Sequence, residues 1–420
     1  MSRPVVRVMD VRASPAAYAL RDFLARNDYE VDWVEIGDRG GTYDRSDTPG
    51  GDHSGLPVCE LADGTRLAGP TIDQLAKALG MLKTASLGEY DLAIIGAGPA
   101  GLAAAVYGAS EGLRTVVFEG LAPGGQAATS AKIENYLGFP PPKGITGVEL
   151  AHRAREQARR FGAELLLART VDHVRSDGDM FVSELSDGSL IPARAMIGAT
   201  GVDWRQLDVP GVDELLHRGV YYGASPSEAP LCKEASVVIV GGGNSASQAA
   251  LYYARFARLV TMLVRDTALD VTTSKYLVDR IHSTANVNVR PRSRLAGLEG
   301  NGWLRAVSVV DDATGEKSTL ETEALFVCIG GVPRCEWAVE MGLPRDRSGY
   351  VLTGSDLGSS ARDPARWPLA RHPFPLETIV PGLFAAGDVR HGSTKRISAA
   401  IGEGAMSLAL VQHHLDRTRL

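Results

Sequence analysis

Short apolar runs alternate with Gly-rich turns and Ala-rich stretches along most of this chain. Residues 92–95 form an apolar run typical of a buried parallel strand, and an Ala-rich helical stretch follows the next glycines. Residues 115–118 have the composition of a second strand. A β-meander over 171–190 and a separate strand over 195–199 are also predicted. Residues 236–240 and 259–264 repeat the pattern around another Gly-rich turn and helix. The pattern predicts an α/β fold that contains two strand–turn–helix–strand units.

The first residues, 1 to about 84, have a different order of elements, and we expect them to form a separate unit. The predicted elements are, in order, a strand over 5–11, a helix over 16–27, a strand over 31–36, a polar Gly-rich loop over 37–55, a hairpin from Leu56 that turns at Asp63-Gly64, and a helix over 71–82 with Thr71 as its N-cap.

The first Gly-rich turn has the spacing of a dinucleotide-binding loop. Its sequence is Gly96-Ala97-Gly98-Pro99-Ala100-Gly101. Gly96 permits a tight turn, Gly98 lets the backbone approach a pyrophosphate, and Gly101 lets the helix pack closely on the strand. The helix directs its N-terminal N–H groups at the phosphates. Glu119, which ends the second strand, is placed to accept hydrogen bonds from the ribose hydroxyls. Together these features favour a dinucleotide site over an ordinary turn.

The second Gly-rich turn lacks the acidic residue of the first. It runs Gly241-Gly242-Gly243-Asn244-Ser245-Ala246, and the position that matches Glu119 is Val264, which Arg265 follows. A cation there favours a ribose 2′-phosphate and therefore NADPH over NADH. NADH stays open because Asp266 and Asp270 follow, and Arg265 as a solvated surface residue is the alternative.

Composition and charge narrow the class of protein. The chain has 420 residues, 44% of them hydrophobic and 22% charged, and a formal net charge of −6. These values are typical of a soluble globular protein and give no support to a nucleic-acid or membrane partner. We find no signal-peptide segment and no apolar run of the roughly 20 residues that span a bilayer, so we expect a cytoplasmic location. The cysteines form no C-x-x-C pair, and no metal site is predicted.

Residues 90–420 resemble the low-molecular-weight thioredoxin reductases, within the flavoproteins that have two dinucleotide-binding units. The resemblance rests on the two Gly-rich turns, Gly-Gly-Gln at 124–126, Glu134-Asn135 and a late Gly387-Asp388. It implies FAD in a unit over 90–215 and 331–420, NADPH in a unit over 216–330 inserted into it, and a homodimer.

The resemblance also implies roles for residues around the flavin. Gln126 and Asn135 match positions near the flavin ring, and Asp388 matches an aspartate that contacts the ribityl chain. The predicted helix over 395–410 would direct its N-terminus at the ring, where Lys395 or Arg396 would stabilise negative charge. The full set of implied cofactor-binding residues is Gly96, Gly98, Pro99, Ala100, Gly101, Glu119, Gly125, Gln126, Asn135, Thr200, Gly201, Gly241, Gly243, Asn244, Ser245, Ala246, Arg265, Gly387, Asp388, Lys395, Arg396 and Ile397.

The chain departs from these reductases at the redox dithiol. The family's CxxC falls at Gly223-Ala224-Ser225-Pro226 when aligned on Val220, or at 224–227 when counted back from Gly241, and neither stretch contains cysteine. We therefore predict that the chain does not reduce thioredoxin and that its NADPH unit has less need to rotate about hinges near 212–217 and 329–333.

The N-terminal unit shows the same kind of departure. Its order of elements resembles the glutaredoxin and thioredoxin fold, and Pro57 matches that family's cis-proline. The position of its dithiol is Ser14-Pro15-Ala16-Ala17, without a thiol for disulfide exchange. We expect this unit to dock, dimerise or gate the substrate, and we expect Cys59 to pack as a small hydrophobic residue.

Three functions remain open from the sequence. In the first, reduced flavin reacts directly with a small molecule such as a quinone, dioxygen or a natural-product intermediate. The acceptor site would be lined by Tyr221, Tyr222, Ser225 and Glu228, with Ser225 and Glu228 as catalytic candidates. Glu228 would be a proton donor, and a solvated glutamate is the alternative.

In the second, Cys232 acts alone on a small thiol disulfide, although its place before a core strand favours packing. In the third, the chain passes electrons to a ferredoxin-type partner or acts as a redox sensor. Cys328 and Cys335 are weaker thiol candidates than Cys232.

Overall fold

A computed structural model describes residues 5–10, 14–36 and 55–418 of the chain. The predicted loop over 37–55 lies almost wholly outside these residues. The strands are β1 Val5–Asp10, β2 Glu30–Glu35, β3 Val58–Glu60, β4 Arg66–Ala68, β5 Tyr90–Ile95, β6 Thr115–Glu119, β7 Glu164–Leu167, β8 Val171–Asp177, β9 Met180–Leu185, β10 Leu190–Gly198, β11 Val202–Trp204, β12 Val220–Tyr222, β13 Ser236–Val240, β14 Leu259–Leu263, β15 Val287–Arg290, β16 Ser293–Gly300, β17 Leu304–Asp311, β18 Lys317–Glu321, β19 Ala324–Val327, β20 Gly331–Pro333 and β21 Leu383–Ala385.

Helices occupy the amphipathic and Ala-rich stretches where the sequence predicts them, and the helices at 212–215, 275–282 and 336–340 were not predicted. The helices are α1 Pro15–Arg26, α2 Ile72–Ala78, α3 Pro99–Ser110, α4 Gly147–Arg160, α5 Val212–Leu215, α6 Asn244–Tyr253, α7 Lys275–His282, α8 Glu336–Glu340 and α9 Ile397–Thr418. Within the described ranges, no helix is both long enough and apolar enough to span a membrane.

The N-terminal segment, residues 5–82 as far as they are described, forms a four-stranded sheet in the order β2-β1-β3-β4. β1 pairs parallel with β2 and antiparallel with β3. Thr71 caps α2 through a capping box with Gln74, as an N-cap threonine should. α2 ends at Ala78 rather than at 82, because Gly80 adopts a left-handed φ of 66° just beyond it. The Leu56–Pro57 peptide bond is cis.

The N-terminal segment shares its core with the rest of the chain. Phe23, Leu24 and Cys59 are fully buried in that core, and Ala168, which follows β7, belongs to the same cluster. Leu121, after β6, packs against it as well. The expectation of a separate unit over 1–84 is therefore wrong in this respect, because the segment buries apolar surface against its neighbour. Cys59 packs as predicted.

The largest sheet has seven strands in the order β7-β6-β5-β10-β9-β8, with β21 also paired to β10. β7, β6, β5, β10 and β21 are parallel, and β9 and β8 are antiparallel additions. Helices α3 and α9 pack closely together through small residues, among them Ala100 and Gly404. The separate strand predicted at 195–199 is the second half of β10, which is continuous because its residues are buried along the central parallel pairing.

A parallel five-stranded sheet, β12-β19-β13-β14-β15, and an antiparallel three-stranded sheet, β16-β17-β18, are inserted into the larger unit. The chain enters and leaves this insertion through β11 and β20, which pair antiparallel with each other. In both of these sheets the strand before the Gly-rich turn is β5 or β13. On one side it pairs with the next strand of its unit, β6 or β14, and on the other side with a strand from later in the chain, β10 or β19. Such switch points open a crevice at the carboxyl ends of the strands, where ligands bind.

Candidate functional site

A large cavity of about 1510 Å³ lies at these carboxyl ends, and most of the predicted cofactor residues line it. The predicted residues in its wall are Gly96, Gly98, Pro99, Ala100, Glu119, Gly125, Gln126, Asn135, Thr200, Gly201, Gly243, Asn244, Ser245, Gly387, Asp388, Lys395, Arg396 and Ile397. Gly101, Gly241 and Ala246 lie outside this wall and make close contacts within the two turns and with neighbouring backbone.

The first Gly-rich turn is shaped by backbone contacts that only glycine allows. Gly96 has a φ of 99°, and a Cβ there would lie 2.6 Å from the Ala199 carbonyl oxygen. A Cβ on Gly101 would lie 1.9 Å from the carbonyl oxygen of Gly96. The turn therefore presents its bare backbone to the cavity at the start of α3, as a pyrophosphate site requires.

The Gly124–Gln126 loop closes over this turn. The Gly124 N–H donates to the Ala97 carbonyl at 2.7 Å, and a Cβ on Gly125 would lie 3.2 Å from the Gly98 Cα. Gln126 Nε2 donates to the Val202 carbonyl at 2.7 Å. The two loops thus form one cradle with little room for side chains between them.

Glu119 is held at the edge of the cradle. Its carboxylate accepts hydrogen bonds from the backbone N–H groups of Ala97, at 2.8 Å, and Leu121, at 3.0 Å. Each oxygen takes one of these bonds, so a lone pair remains on each for ribose hydroxyls. The glycine cradle and this fixed acid fit the adenosine diphosphate half of FAD.

The Gly387-Asp388 turn lies beside the N-terminus of α9. The Gly387 N–H donates to Glu403 on α9 at 2.7 Å, and Arg390 pairs with the same carboxylate at 2.7 Å. Burial raises the pKa of Asp388 and lowers the pKa of Lys395. Lys395 Nζ donates to the Asp388 carbonyl at 2.7 Å. These contacts hold a carboxyl group and a cation at the cavity wall where the resemblance implies the flavin.

The second Gly-rich turn contributes to the same cavity. Gly241 has a φ of 141°, and a Cβ there would lie 2.3 Å from the Cys328 carbonyl oxygen. Asn244 is fixed by two hydrogen bonds with Ser274, of 3.0 and 2.8 Å. The space around the Cα of Gly243 is open, which suits the approach of a phosphate. Arg265 is exposed after β14 and lies beyond the residues of the cavity wall.

Comparison with known proteins decides the family. The sequence pattern of the family described as "Pyridine nucleotide-disulphide oxidoreductase" matches residues 90–404. This chain belongs to that family. It is 34% identical over 328 residues to a thioredoxin reductase of Bacillus subtilis, a match that covers 78% of this chain and 95% of that protein. It is therefore an FAD-dependent NADPH oxidoreductase of the thioredoxin reductase type, as the motifs predicted.

Solved structures of this oxidoreductase family have the same fold. A thioredoxin reductase from T. acidophilum superposes with a TM-score of 0.70 at 28% identity, covering 79% of this chain and all of that one. A Lactococcus lactis thioredoxin reductase in its FR conformation gives 0.69 at 28% identity, covering 78% of this chain and 100% of that one. The match of the family pattern begins at residue 90 and leaves out the N-terminal segment.

At Gly223, where the alignment on Val220 places the first cysteine of the family dithiol, Trp204 occupies the space that a side chain would need. Gly223 has a φ of 75°, and a Cβ there would lie 2.5 Å from Trp204 Cζ2. Ser225 then caps a 3₁₀ helix over Pro226–Cys232. Tyr221, Tyr222 and Ser225, which the sequence places in a predicted acceptor site, line the cavity.

Glu228 does not lie in the cavity wall, and the alternative of a solvated glutamate is wrong. Its side chain is buried, with 1% exposure, because four donors enclose it. They are the Ser225 N–H at 2.7 Å, the Ser227 hydroxyl at 2.7 Å, the Tyr253 hydroxyl at 3.1 Å and the Tyr18 hydroxyl at 2.5 Å. Burial raises the pKa of Glu228 in spite of these donors, each of which lowers it.

The cysteines are free and buried, and all four lie within the described residues. Burial raises the pKa of Cys232 to about 12, with a smaller contribution from Glu228, and it raises the pKa of Cys328 to about 12. Burial raises the pKa of Cys59 and of Cys335 to about 11. Since the thiolate is the reactive form, these side chains are suited to packing at neutral pH.

Helix α1 of the N-terminal segment also reaches the cavity, which the sequence did not predict. Tyr18, Asp22 and Arg26 line it, and their spacing of four residues places them on one face of the helix. Trp204 and His217 are further lining residues that carried no sequence motif. The helical spacing was readable, but no local signal says which face of α1 meets the other units.

Proposed function

We propose that this oxidoreductase passes electrons from NADPH through FAD to a small-molecule acceptor that meets the flavin directly, without an internal dithiol. Gly223 carries the proposal. In the alignment on Val220, the first family cysteine falls at Gly223, where Trp204 Cζ2 lies 2.5 Å from the position that a Cβ would take. A thiol relay needs two cysteines here, and 223–228 contain none.

Bound NADPH and FAD supply hydride transfer and the redox centre. The chain supplies binding, orientation and exclusion of water. The cradle at Gly96–Gly101 and Glu119 would hold FAD, with Gln126, Asn135, Asp388 and α9 beside its ring. The turn at Gly241–Ala246 would hold NADPH. We retain Arg265 as the proposed contact for the 2′-phosphate, since it is the first cation after β14.

Burial of the thiols weighs against the single-cysteine alternative. The Cys232 side chain has 0% exposure, and the thiolate needed for disulfide exchange is rare at a pKa of about 12. Glu228, the other catalytic candidate, is enclosed by donors from its own turn and from α1. We therefore propose a positioning role for it, with Ser225 as the member of this turn that faces the cavity.

We further propose that the N-terminal segment is a thioredoxin-like module that has lost its dithiol. The strand order β2-β1-β3-β4 supports this, and Ser14–Ala17 opens α1 without cysteine. A homodimer is proposed from the family resemblance alone.

The test compares two equally buried cysteines. The FAD-loaded enzyme is reduced with NADPH without oxygen and then mixed with a quinone, dioxygen or a small thiol disulfide. Direct transfer predicts that Cys232→Ser and the control Cys59→Ser, both at sites with 0% exposure, keep the wild-type turnover within about twofold.

Both substitutions bury a hydroxyl group, which lowers the free energy of unfolding by about 1–3 kcal/mol. A loss of turnover shared by both variants would therefore reflect lower stability only. Disulfide turnover that disappears in Cys232→Ser alone would contradict direct transfer and favour the single-cysteine function.

A further inference from the structure

Half-buried aromatic side chains from separate parts of the chain line the same cavity. Tyr18 of α1, His217, Trp204 and Tyr222 all line it. The Tyr18 and His217 rings stack with centroids 4.4 Å apart and planes 27° from parallel. Tyr221 lies 5.9 Å from Tyr18, and its ring continues the cluster into the core. A ligand with a flat ring gains most from such surroundings, because aromatic pairs favour stacked and edge-to-face contacts.

Tyr18 is fixed in the cavity lining from behind. Its hydroxyl donates to the buried carboxyl group of Glu228 at 2.5 Å, so the ring cannot turn away from the cavity without leaving Glu228 short of a donor. The remaining donors to Glu228 come from its own turn and from Tyr253. The hydrogen bond between Tyr18 and Glu228 therefore joins α1 to the inserted unit and fixes the Tyr18 ring against the cavity.

The other end of α1 is anchored to the flavin-side loop. Arg26 Nη2 donates to the Gly125 carbonyl at 3.0 Å, and Asn27 Nδ2 donates to the Leu121 carbonyl at 3.2 Å. Asp28, just beyond, pairs with His152 of α4 at 2.8 Å. Helix α1 is thus held to both sides of the cavity, and these contacts fix the position of Tyr18 in the cavity lining.

The rings on the opposite side are fixed as well. Trp204 lies against Gly223, where a Cβ would come within 2.5 Å of its Cζ2. The Tyr222 hydroxyl accepts a hydrogen bond from the Leu207 N–H at 2.8 Å. Aromatic surface therefore lines the place where the family resemblance implies a dithiol.

We propose that the part of the cavity lined by these rings is the acceptor subsite, that it takes a planar aromatic acceptor of the quinone class, and that Tyr18 and Trp204 are its specificity-determining residues. The proposal rests on direct transfer to a small molecule. Reduction of a quinone to the hydroquinone takes up two electrons and two protons. The hydride of NADPH accounts for both electrons and one proton, solvent supplies the second proton, and NADP⁺ is released.

The experiment measures binding of a naphthoquinone to the oxidised, FAD-loaded full chain by calorimetry, without turnover. Tyr18→Ala is expected to raise the Kd about five- to tenfold, because one stacking partner is lost. Tyr18→Phe keeps the ring and is expected to stay within about threefold of wild type. Trp204→Leu, from the facing side, is expected to weaken binding to a similar degree as Tyr18→Ala.

The control is Tyr107→Ala, because Tyr107 is 47% exposed on α3 and lies outside the cavity wall. Unchanged binding in both Tyr18→Ala and Trp204→Leu would overturn the proposal, and so would a wild-type enzyme that binds no quinone. Binding without reduction by NADPH would uphold the subsite and contradict the proposed function. Reduction of acceptors that lack a ring, with no quinone binding, would do the reverse.

Discussion

At Gly223 the absence of a side chain bears directly on the proposed function. Its backbone has a φ of 75°, and Trp204 Cζ2 lies 2.5 Å from the position of a Cβ. We predict that Gly223→Ala destabilises the chain, first through the left-handed backbone and then through displacement of the indole. Urea unfolding of the full chain measures the effect.

The control separates these two costs. Gly178, in the β8–β9 turn, has a similar φ of 61° with no atom within 4 Å of its would-be Cβ. Gly178→Ala is expected to lower the free energy of unfolding by about 1 kcal/mol, because only the backbone is strained there. Gly223→Ala is expected to cost about 1–3 kcal/mol more, because the indole must move. Equal costs at the two sites would mean that Trp204 adapts freely and does not reserve this space.

Among single residues, the sequence predicts the roles that backbone chemistry determines. Gly96 and Gly101 could be assigned because the turn itself requires glycine, and Glu119 because it ends the next strand. Trp204 and Tyr18 could not be assigned. Their roles depend on contacts with Gly223 and Glu228 that are made only when distant segments come together.

Helices α3 and α9 meet with almost no space between their backbones. A Cβ on Gly404 would lie 2.1 Å from the Ala100 carbonyl oxygen, whereas a Cβ on Gly402 would meet no atom within 4 Å. Because Ala100 lies in the cofactor cradle, we expect Gly404→Ala to cost about 3 kcal/mol and to release FAD during gel filtration.

Gly402→Ala is the matched control on the same helix. It is expected to stabilise the chain by up to about 1 kcal/mol, because alanine favours a helix where space allows. FAD retained at the wild-type ratio in Gly404→Ala would show that the α3–α9 contact does not set the cradle.

The hydrogen bond between Tyr18 of α1 and Glu228 of the Pro226–Cys232 turn predicts how stability depends on pH. Burial raises the folded pKa of Glu228 above its ordinary value of 4.5. The folded state therefore binds this proton more tightly than the unfolded state does. The resulting stabilisation is complete below pH 4.5 and is lost as the pH rises through the folded pKa of Glu228.

Glu228→Gln keeps the shape of the side chain but does not titrate. We predict that this variant flattens the fall in the free energy of unfolding above pH 4.5, measured by urea unfolding at fixed pH values. The same slope in the variant and the wild type would assign the dependence on pH to other groups.

The type of each element was easier to predict than its extent. α9 continues to Thr418, beyond the predicted end at 410, because Val411 and Leu415 are buried against the sheet. β10 joins two predicted strands through central pairing, and α2 is cut short at Gly80. Each difference arises from tertiary packing or from a single turn conformation, which periodicity does not report.

At the scale of the whole molecule, the two nucleotide-binding parts are held together by more than the β11–β20 ladder. Arg280 of α7 forms a salt bridge with Glu134 across the cavity, and α1 contacts both sides through Tyr18 and Arg26. Because the proposed function has no dithiol that alternates with the nicotinamide at the flavin, we predict one arrangement of the parts.

Small-angle scattering of the oxidised and NADPH-reduced enzyme is expected to give the same distance distribution. Two clearly different distributions would show that the inserted unit rotates about the residues near 212–217 and 329–333. Tyr18→Phe, which removes one contact of α1, serves as a comparison for a loosened arrangement.

Fold class and cofactors could be predicted for the whole molecule because the two Gly-rich turns occur in separate, complete strand–helix units. The position of the N-terminal segment could not. Its contact with Ala168 and its reach to Glu228 depend on surface complementarity between distant parts of the chain.

The most direct test of the central claim is the number of electrons that the purified enzyme accepts. Anaerobic titration with dithionite, followed by flavin absorbance, counts them for each bound FAD. With flavin as the only redox centre, bleaching is expected to be complete at about two electrons per FAD, without a lag. Uptake of about four electrons per FAD would reveal a second two-electron centre, as a dithiol is, and would contradict direct transfer from flavin to acceptor.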